Sequence, residues 1–212
     1  MPLPFPPLYA ILDLAAVNSD ARIPEMLTES GVRLIQVRDK QASARAVLEA
    51  SQRLVARLSP KGVRVIVNDR ADIAAMVGAG GVHVGQDDLP VEAARACCGG
   101  GLWVGVSTHS LEQFQLAMAT SADYIAVGPI FPTATKENPV PVVGLELIRE
   151  ARRLTRKPLV AIGGITVQSA ESVYRAGADS IAVVSDLLSA PKPALRAGEY
   201  IAIAKRFLAV RD

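Results

Sequence analysis

A closed (β/α)8 barrel is the fold class this sequence predicts, and three observations predict it. Eight short β-branched runs recur along the chain, near residues 8–13, 34–39, 64–69, 81–85, 103–107, 123–128, 159–163 and 180–184. Each is followed by a longer amphipathic stretch, which implies parallel strands joined by crossover helices. The alternation runs to the C-terminus without a break in composition, so one barrel domain over residues 8–212 is expected, preceded by a Pro-rich arm at residues 1–7. A doubly wound open sheet is the alternative arrangement of the same units.

In the second run, Gln36, Arg38 and Lys40 share one face while Ile35 and Val37 take the other, because strand side chains alternate. Helices are expected over residues 44–58, 111–120 and 145–154, with Ser43, Ser110 and Gly144 as start signals. The 212 residues, half of them hydrophobic, suffice for a large core. A formal charge of +2 with no long basic block argues against a general nucleic-acid binder. Apolar runs such as 159–162 are far shorter than the roughly twenty residues a membrane-spanning helix needs. The first seven residues lack the pattern of a signal peptide, so a cytoplasmic location is expected. Adjacent Cys97 and Cys98 cannot readily bridge each other and read as free thiols in a reducing compartment.

In a barrel the loops that follow the strands gather at one rim, where ligands bind. Polar residues fall at those strand ends: Arg38 and Lys40; Asn68, Asp69 and Arg70; Gln86, Asp87 and Asp88; Ser107 and His109; Thr133, Thr135 and Lys136; Gly163 and Gly164; and Ser185. Glycines after strand seven and a serine after strand eight suit a phosphate held by backbone N–H groups, although a tight turn would also select glycine. The loop from 129 to 143 is long for a compact barrel. Asp69 and Asp88 would repel a phosphorylated substrate unless a cation lay between, and Mg2+ suits one or two carboxylates plus phosphate oxygens. The competing expectation makes Asp69 a helix cap paired with Arg70, and Asp88 the cap of a helix begun at Pro90. Convergence of Arg38, Lys40 and Lys136 on the same rim favours a metal and diphosphate site. His83 and His109 read as structural, and no side-chain nucleophile stands out, so the expected catalysis is electrostatic.

Seven stretches, in order across most of the chain, resemble the thiamine-phosphate synthase family: QVRDK at 36–40, NDR at 68–70, GVHVGQDDLP at 81–90, GVSTH at 105–109, GPIFPTATK at 128–136, AIGGIT at 161–166 and AVVS at 182–185. The resemblance implies a barrel enzyme that joins a hydroxymethylpyrimidine diphosphate to a thiazole phosphate and releases diphosphate. It implies that Gln36, Arg38, Lys40, Asn68, Ser107 and Lys136 contact the pyrimidine diphosphate, with Arg38, Lys40, Ser107 and Lys136 catalytic. It further implies that Asp69 and Asp88 hold Mg2+, and that Thr133, Thr135, Gly164, Val184 and Ser185 hold the thiazole phosphate. Val37, Asp39 and Ala134 complete the binding segments. The family's reaction is dissociative: diphosphate leaves a stabilised pyrimidine cation, which the thiazole nitrogen captures. A related thiazole tautomerase is the rival, but it should carry a histidine where this chain has Pro129. A non-catalytic barrel that binds a phosphorylated ligand is a further rival. The implied partners are small molecules, with neither nucleic acid nor membrane, and association into a homo-oligomer is left open.

Overall fold

A computed structural model describes residues 5–14, 20–133 and 141–208. Eight parallel strands close into a barrel in sequence order: β1 (Leu8–Asp13), β2 (Leu34–Arg38), β3 (Arg64–Asn68), β4 (Gly81–Val84), β5 (Trp103–Thr108), β6 (Tyr124–Val127), β7 (Leu159–Ile162) and β8 (Ser180–Val183). Closure is made by β1 against β8, with Leu8 beside Ile181 and Ala10 beside Val183. Between and after the strands lie α1 (Ile23–Glu29), α2 (Ala44–Leu58), α3 (Ala71–Met76), α4 (Val91–Cys98), α5 (Leu111–Met118), α6 (Gly144–Leu154), α7 (Val167–Ala176), α8 (Ser185–Leu188) and α9 (Pro193–Leu208). The open-sheet alternative is thereby excluded.

Strand alternation produces two apolar layers. One face, with Leu8, Ala10 and Leu12 of β1 and Ile35 and Val37 of β2, packs under the helices. The other fills the barrel with Tyr9, Ile11, Leu34, Ile66, Tyr124, Ala126, Val160 and Ala182. Gly105 makes that filling possible, since a Cβ there would lie 2.0 Å from Cζ of Tyr124. At the N-terminal mouth, Phe5 stacks on Trp103 with ring centroids 5.2 Å apart, and the Arg64 guanidinium sits 3.7 Å from the Trp103 centroid.

Two matching clamps tie helices to strands on the side away from the rim. Asp123 Oδ2 accepts from Val104 N–H at 2.7 Å and pairs with Arg95 of α4 at 2.5 Å. Asp179 Oδ2 accepts from Leu159 N–H at 2.8 Å and pairs with Arg152 of α6 at 2.7 Å. Each carboxylate thus satisfies one N–H near the start of a strand while fixing a helix.

Of the three helix starts marked in the sequence, two follow local chemistry. Ser43 Oγ accepts from Ala46 N–H and Ser110 Oγ from Gln113 N–H, as N-caps do. Gly144, expected as a cap, is instead the first helical residue of α6 at φ +68°, and Val143 takes the cap position without a side-chain bond. A positive φ there suits glycine, which has no Cβ to clash.

A candidate active site at the C-terminal rim

The rim opens where β2, β3 and β4 end. Asp69, just past β3, has φ +61° and is the one non-glycine residue with positive φ among the described residues. Its N–H donates to the His83 carbonyl at 2.8 Å, which anchors this unusual turn to the neighbouring strand. The conformation means that Asp69 does not cap α3; Arg70 occupies that position, makes no capping bond and pairs with Asp72. The Asp69 carboxyl instead lies beside Asp88 and Lys40, with Lys40 Nζ 3.8 Å from Oδ2. Its pKa is pushed up to about 6 by burial, then by a side-chain hydrogen bond to Asp88 and the charge of Asp88; Lys40 and Arg38 oppose the rise. Asp88 does not cap α4 either, because its Oδ2 accepts from Gly85 N–H at 2.8 Å and Pro90 stands at the cap. Two carboxylates so close are costly without a cation, and this donor set fits a divalent ion of the magnesium type. Among the described residues no group of three or more His, Cys, Asp or Glu side chains gathers as a metal cage, so solvent or substrate oxygens would have to complete the shell.

Cations flank that pair. Arg38 ends β2 with its Nη1 3.7 Å from Asp13 Oδ2 of β1. A cavity of about 240 Å³ is lined by Val37, Asp39, Lys40, Ala42, Val47, Asn68, Asp69 and Arg70. Val37 itself packs in the layer beneath the helices, so any contact with a ligand in the barrel would come from its backbone. Asp39 Oδ1 accepts from the N–H groups of Gln41 and Ala42 and so shapes the turn that carries Lys40. Gln86 Nε2 donates to the Ser107 carbonyl at 2.6 Å, joining the ends of β4 and β5.

A line of polar groups crosses the interior behind this rim, which sequence reading did not foresee. Gln36 is buried within the barrel, and its Nε2 bonds Tyr9 at 2.7 Å. Tyr9 meets Tyr124 at 3.0 Å, Tyr124 meets His83 Nδ1 at 3.0 Å, and His83 Nε2 lies 2.8 Å from Ser107 Oγ. Burial lowers the His83 pKa to about 4, holding the imidazole neutral. A signal was available in the alternation, since His83 shares a face with Gly81 and stands beside Gly105 in register.

Across the rim, the strand-six loop lies against the end of β7. Ile130 N–H donates to Ile162 O, Phe131 N–H to Gly163 O and Val143 N–H to Pro129 O. Gly164, at φ +62°, would place a Cβ 2.4 Å from the Pro132 carbonyl oxygen, so close approach of this loop is one reason for glycine. Thr133 ends the described part of the loop, whereas Ala134, Thr135 and Lys136 lie outside the described residues. Val184 precedes α8 and Ser185 begins it. Asp186 fixes that short helix by accepting from Arg196 at 2.7 Å and Tyr200 at 2.8 Å.

Parallel barrel, clustered cations and paired carboxylates at one rim together define an enzyme site for anionic, phosphate-bearing ligands. Comparison with known proteins narrows that class. A family model described as thiamine monophosphate synthase matches residues 8–187, and the chain belongs to that family. A thiamine-phosphate synthase of Koribacter versatilis is 48% identical over 207 residues, covering 95% of this chain and 97% of that one. One from Azorhizobium caulinodans is 43% identical, with 90% and 92% covered. Among solved structures, thiamine phosphate pyrophosphorylase from Pyrococcus furiosus superposes with a TM-score of 0.87 at 33% identity, covering 95% of this chain and 96% of that chain.

Proposed function

We propose that this chain is a thiamine-phosphate synthase, a transferase that condenses hydroxymethylpyrimidine diphosphate with thiazole phosphate and releases diphosphate. The observation that carries the mechanism is the Asp69–Asp88 pair beside Lys40 and Arg38, a charge pattern suited to a cation and a departing polyanion. Asp69 and Asp88 would hold Mg2+, which when bound supplies positive charge for the leaving diphosphate. Arg38, Lys40 and Lys136 stabilise that same charge, so the bond to the pyrimidine carbon can break without a protein nucleophile. Gln36, Asn68 and Ser107 orient the pyrimidine portion, with the backbone of Val37 and Asp39 shaping the walls around it and Ala134 as a further binding residue. Thr133, Thr135, Gly164, Val184 and Ser185 hold the phosphate of the thiazole partner, so that its ring nitrogen faces the carbon being vacated. Both cysteines are free thiols, and no helix among the described residues is long and apolar enough to cross a membrane; a cytoplasmic location is the proposed setting.

The test is diphosphate release measured with each substrate alone and with both, across a Mg2+ titration. Release should require both substrates and the metal, and Asp69→Asn and Asp88→Asn should each raise the Mg2+ concentration for half-maximal rate. Unchanged titrations in both variants would move the metal elsewhere, and no release from the complete mixture would end the proposal.

A further inference from the structure

Five side chains cross the barrel in one unbroken line of hydrogen bonds, and counting their protons gives the line a direction. Gln36 Nε2 donates to the Tyr9 hydroxyl at 2.7 Å. Tyr9 has one proton of its own and is buried, and its other partner in the line is the Tyr124 hydroxyl at 3.0 Å; donating to Tyr124 keeps that proton from being buried unpaired. Tyr124 then spends its single proton on His83 Nδ1, 3.0 Å away. A neutral imidazole carries one N–H, and with Nδ1 accepting it must be on Nε2. That group lies 2.8 Å from Ser107 Oγ, which therefore accepts. The proton of Ser107 is left over. Tyr9, Tyr124 and His83 are all buried, where a charged form of any of them would be costly.

We infer that Tyr9, Tyr124 and His83 are positioning residues that lock the Ser107 hydroxyl as a hydrogen-bond donor towards bound substrate, with His83 held in its Nε2–H form. The role assigned to Ser107 rests on the function proposed above, whereas the histidine form does not. Reversing the line from Tyr9 onward would leave the Tyr9 proton unpaired inside the barrel, unless the Gln36 amide also turned over to accept it. A serine whose oxygen already accepts has its proton to offer, while the Gln36 amide, with one of its two Nε2 protons on Tyr9, keeps its second proton and Oε1. A hydroxyl with a fixed proton needs no reorientation as charge develops on the substrate, which is how a preorganised donor assists a reaction. Among the described residues His83 is the single imidazole in this line, and the Phe5–Trp103–Tyr124 stack holds the phenol that sets it.

Long-range 1H–15N spectra of the uniformly labelled protein at neutral pH read the histidine form directly. The chain has only two histidines, so His109→Gln assigns the signals. The expected result is a protonated Nε2 and a bare Nδ1 for His83, with that preference lost in Tyr124→Phe, which keeps the ring and removes only the hydroxyl. A proton on Nδ1, or an imidazolium, in the wild-type chain overturns the inference. Kinetically, His83→Gln and Tyr124→Phe should each lower kcat about tenfold or more with KM changed less than about threefold, as loss of a preorganised contact does. In a Ser107→Ala background His83→Gln should cost less than about twofold more, because both act through one hydroxyl. Losses that multiply in the double variant overturn the positioning role. Should His83→Gln fail to fold, Tyr124→Phe in the same background decides by the same criterion. An inactive wild-type chain would refute the proposed function and leave the spectroscopic result standing.

Discussion

Asp69 combines backbone strain, partial burial and a proposed role in holding the metal. A positive φ costs a non-glycine residue of the order of 1 kcal/mol or more, and here it turns the carboxyl away from the helix it precedes and towards Asp88 and Lys40. The cations proposed to act on the leaving diphosphate make the firmest kinetic expectation. Arg38→Ala and Lys136→Ala should each lower turnover at least about a hundredfold, since one preorganised charge contact commonly supplies about 3 kcal/mol to a transition state. Single-turnover rates with both substrates check this, and losses below about tenfold in both variants would contradict it. Buried titratable groups give a second expectation, for the metal-free protein. His83 has a folded pKa of about 4, below its unfolded value, so its contribution to stability is complete above about pH 6.5 and is lost as pH falls towards 4. The loss amounts to about 3 kcal/mol for a shift of that size. Asp69 acts oppositely: its raised pKa means that the folded state takes up a proton first, so stability is gained as pH falls from about 6. Urea unfolding from pH 7 to pH 4 should therefore show a steeper acid loss in Asp69→Asn than in the wild-type chain.

Elements were legible where a local rule decides them. β-branched runs, Ser43 and Ser110 marked strands and helix starts because alternation and capping depend on near neighbours in sequence. Gly144 does not serve as the cap because the helix begins one residue early, with Val143 at the cap position, and the capping roles weighed for Asp69 and Asp88 gave way to a contact between the two and, for Asp88, to the Gly85 N–H of its own loop. The hydrogen-bonded line inside the barrel was invisible for a similar reason: Tyr9, Gln36, His83, Ser107 and Tyr124 come from five strands, and only their register brings them together. Gly105 belongs to this scale. Gly105→Ala would drive a methyl into the Tyr124 ring, whose hydroxyl lies 2.4 Å from the added carbon. Overpacking of this kind typically costs about 1 to 3 kcal/mol. The melting temperature should fall and kcat with it, because the displaced ring carries the link to His83; a variant that melts normally but works slowly, or the reverse, would separate the two effects.

Across the whole molecule, chemistry and reinforcement occupy opposite ends. The rim carries strain, facing carboxylates and cations, whereas the far end carries the Asp123–Arg95 and Asp179–Arg152 clamps. Asp179→Ala removes a charged partner from Arg152 and an acceptor from the Leu159 N–H, and should destabilise the fold by about 2 to 3 kcal/mol. Rate per folded molecule should remain within about twofold of wild type, since the clamp is remote from the rim and distant sites act independently. Denaturant midpoints and rates measured on one preparation would test that separation.

Phe5, Trp103 and Arg64 cork the barrel from below. Deuterium from solvent must then reach the inner phenolic protons by way of the rim, the same doorway a ligand would fill. Exchange at Tyr9 and Tyr124 thus becomes a clock for how long a bound guest stays.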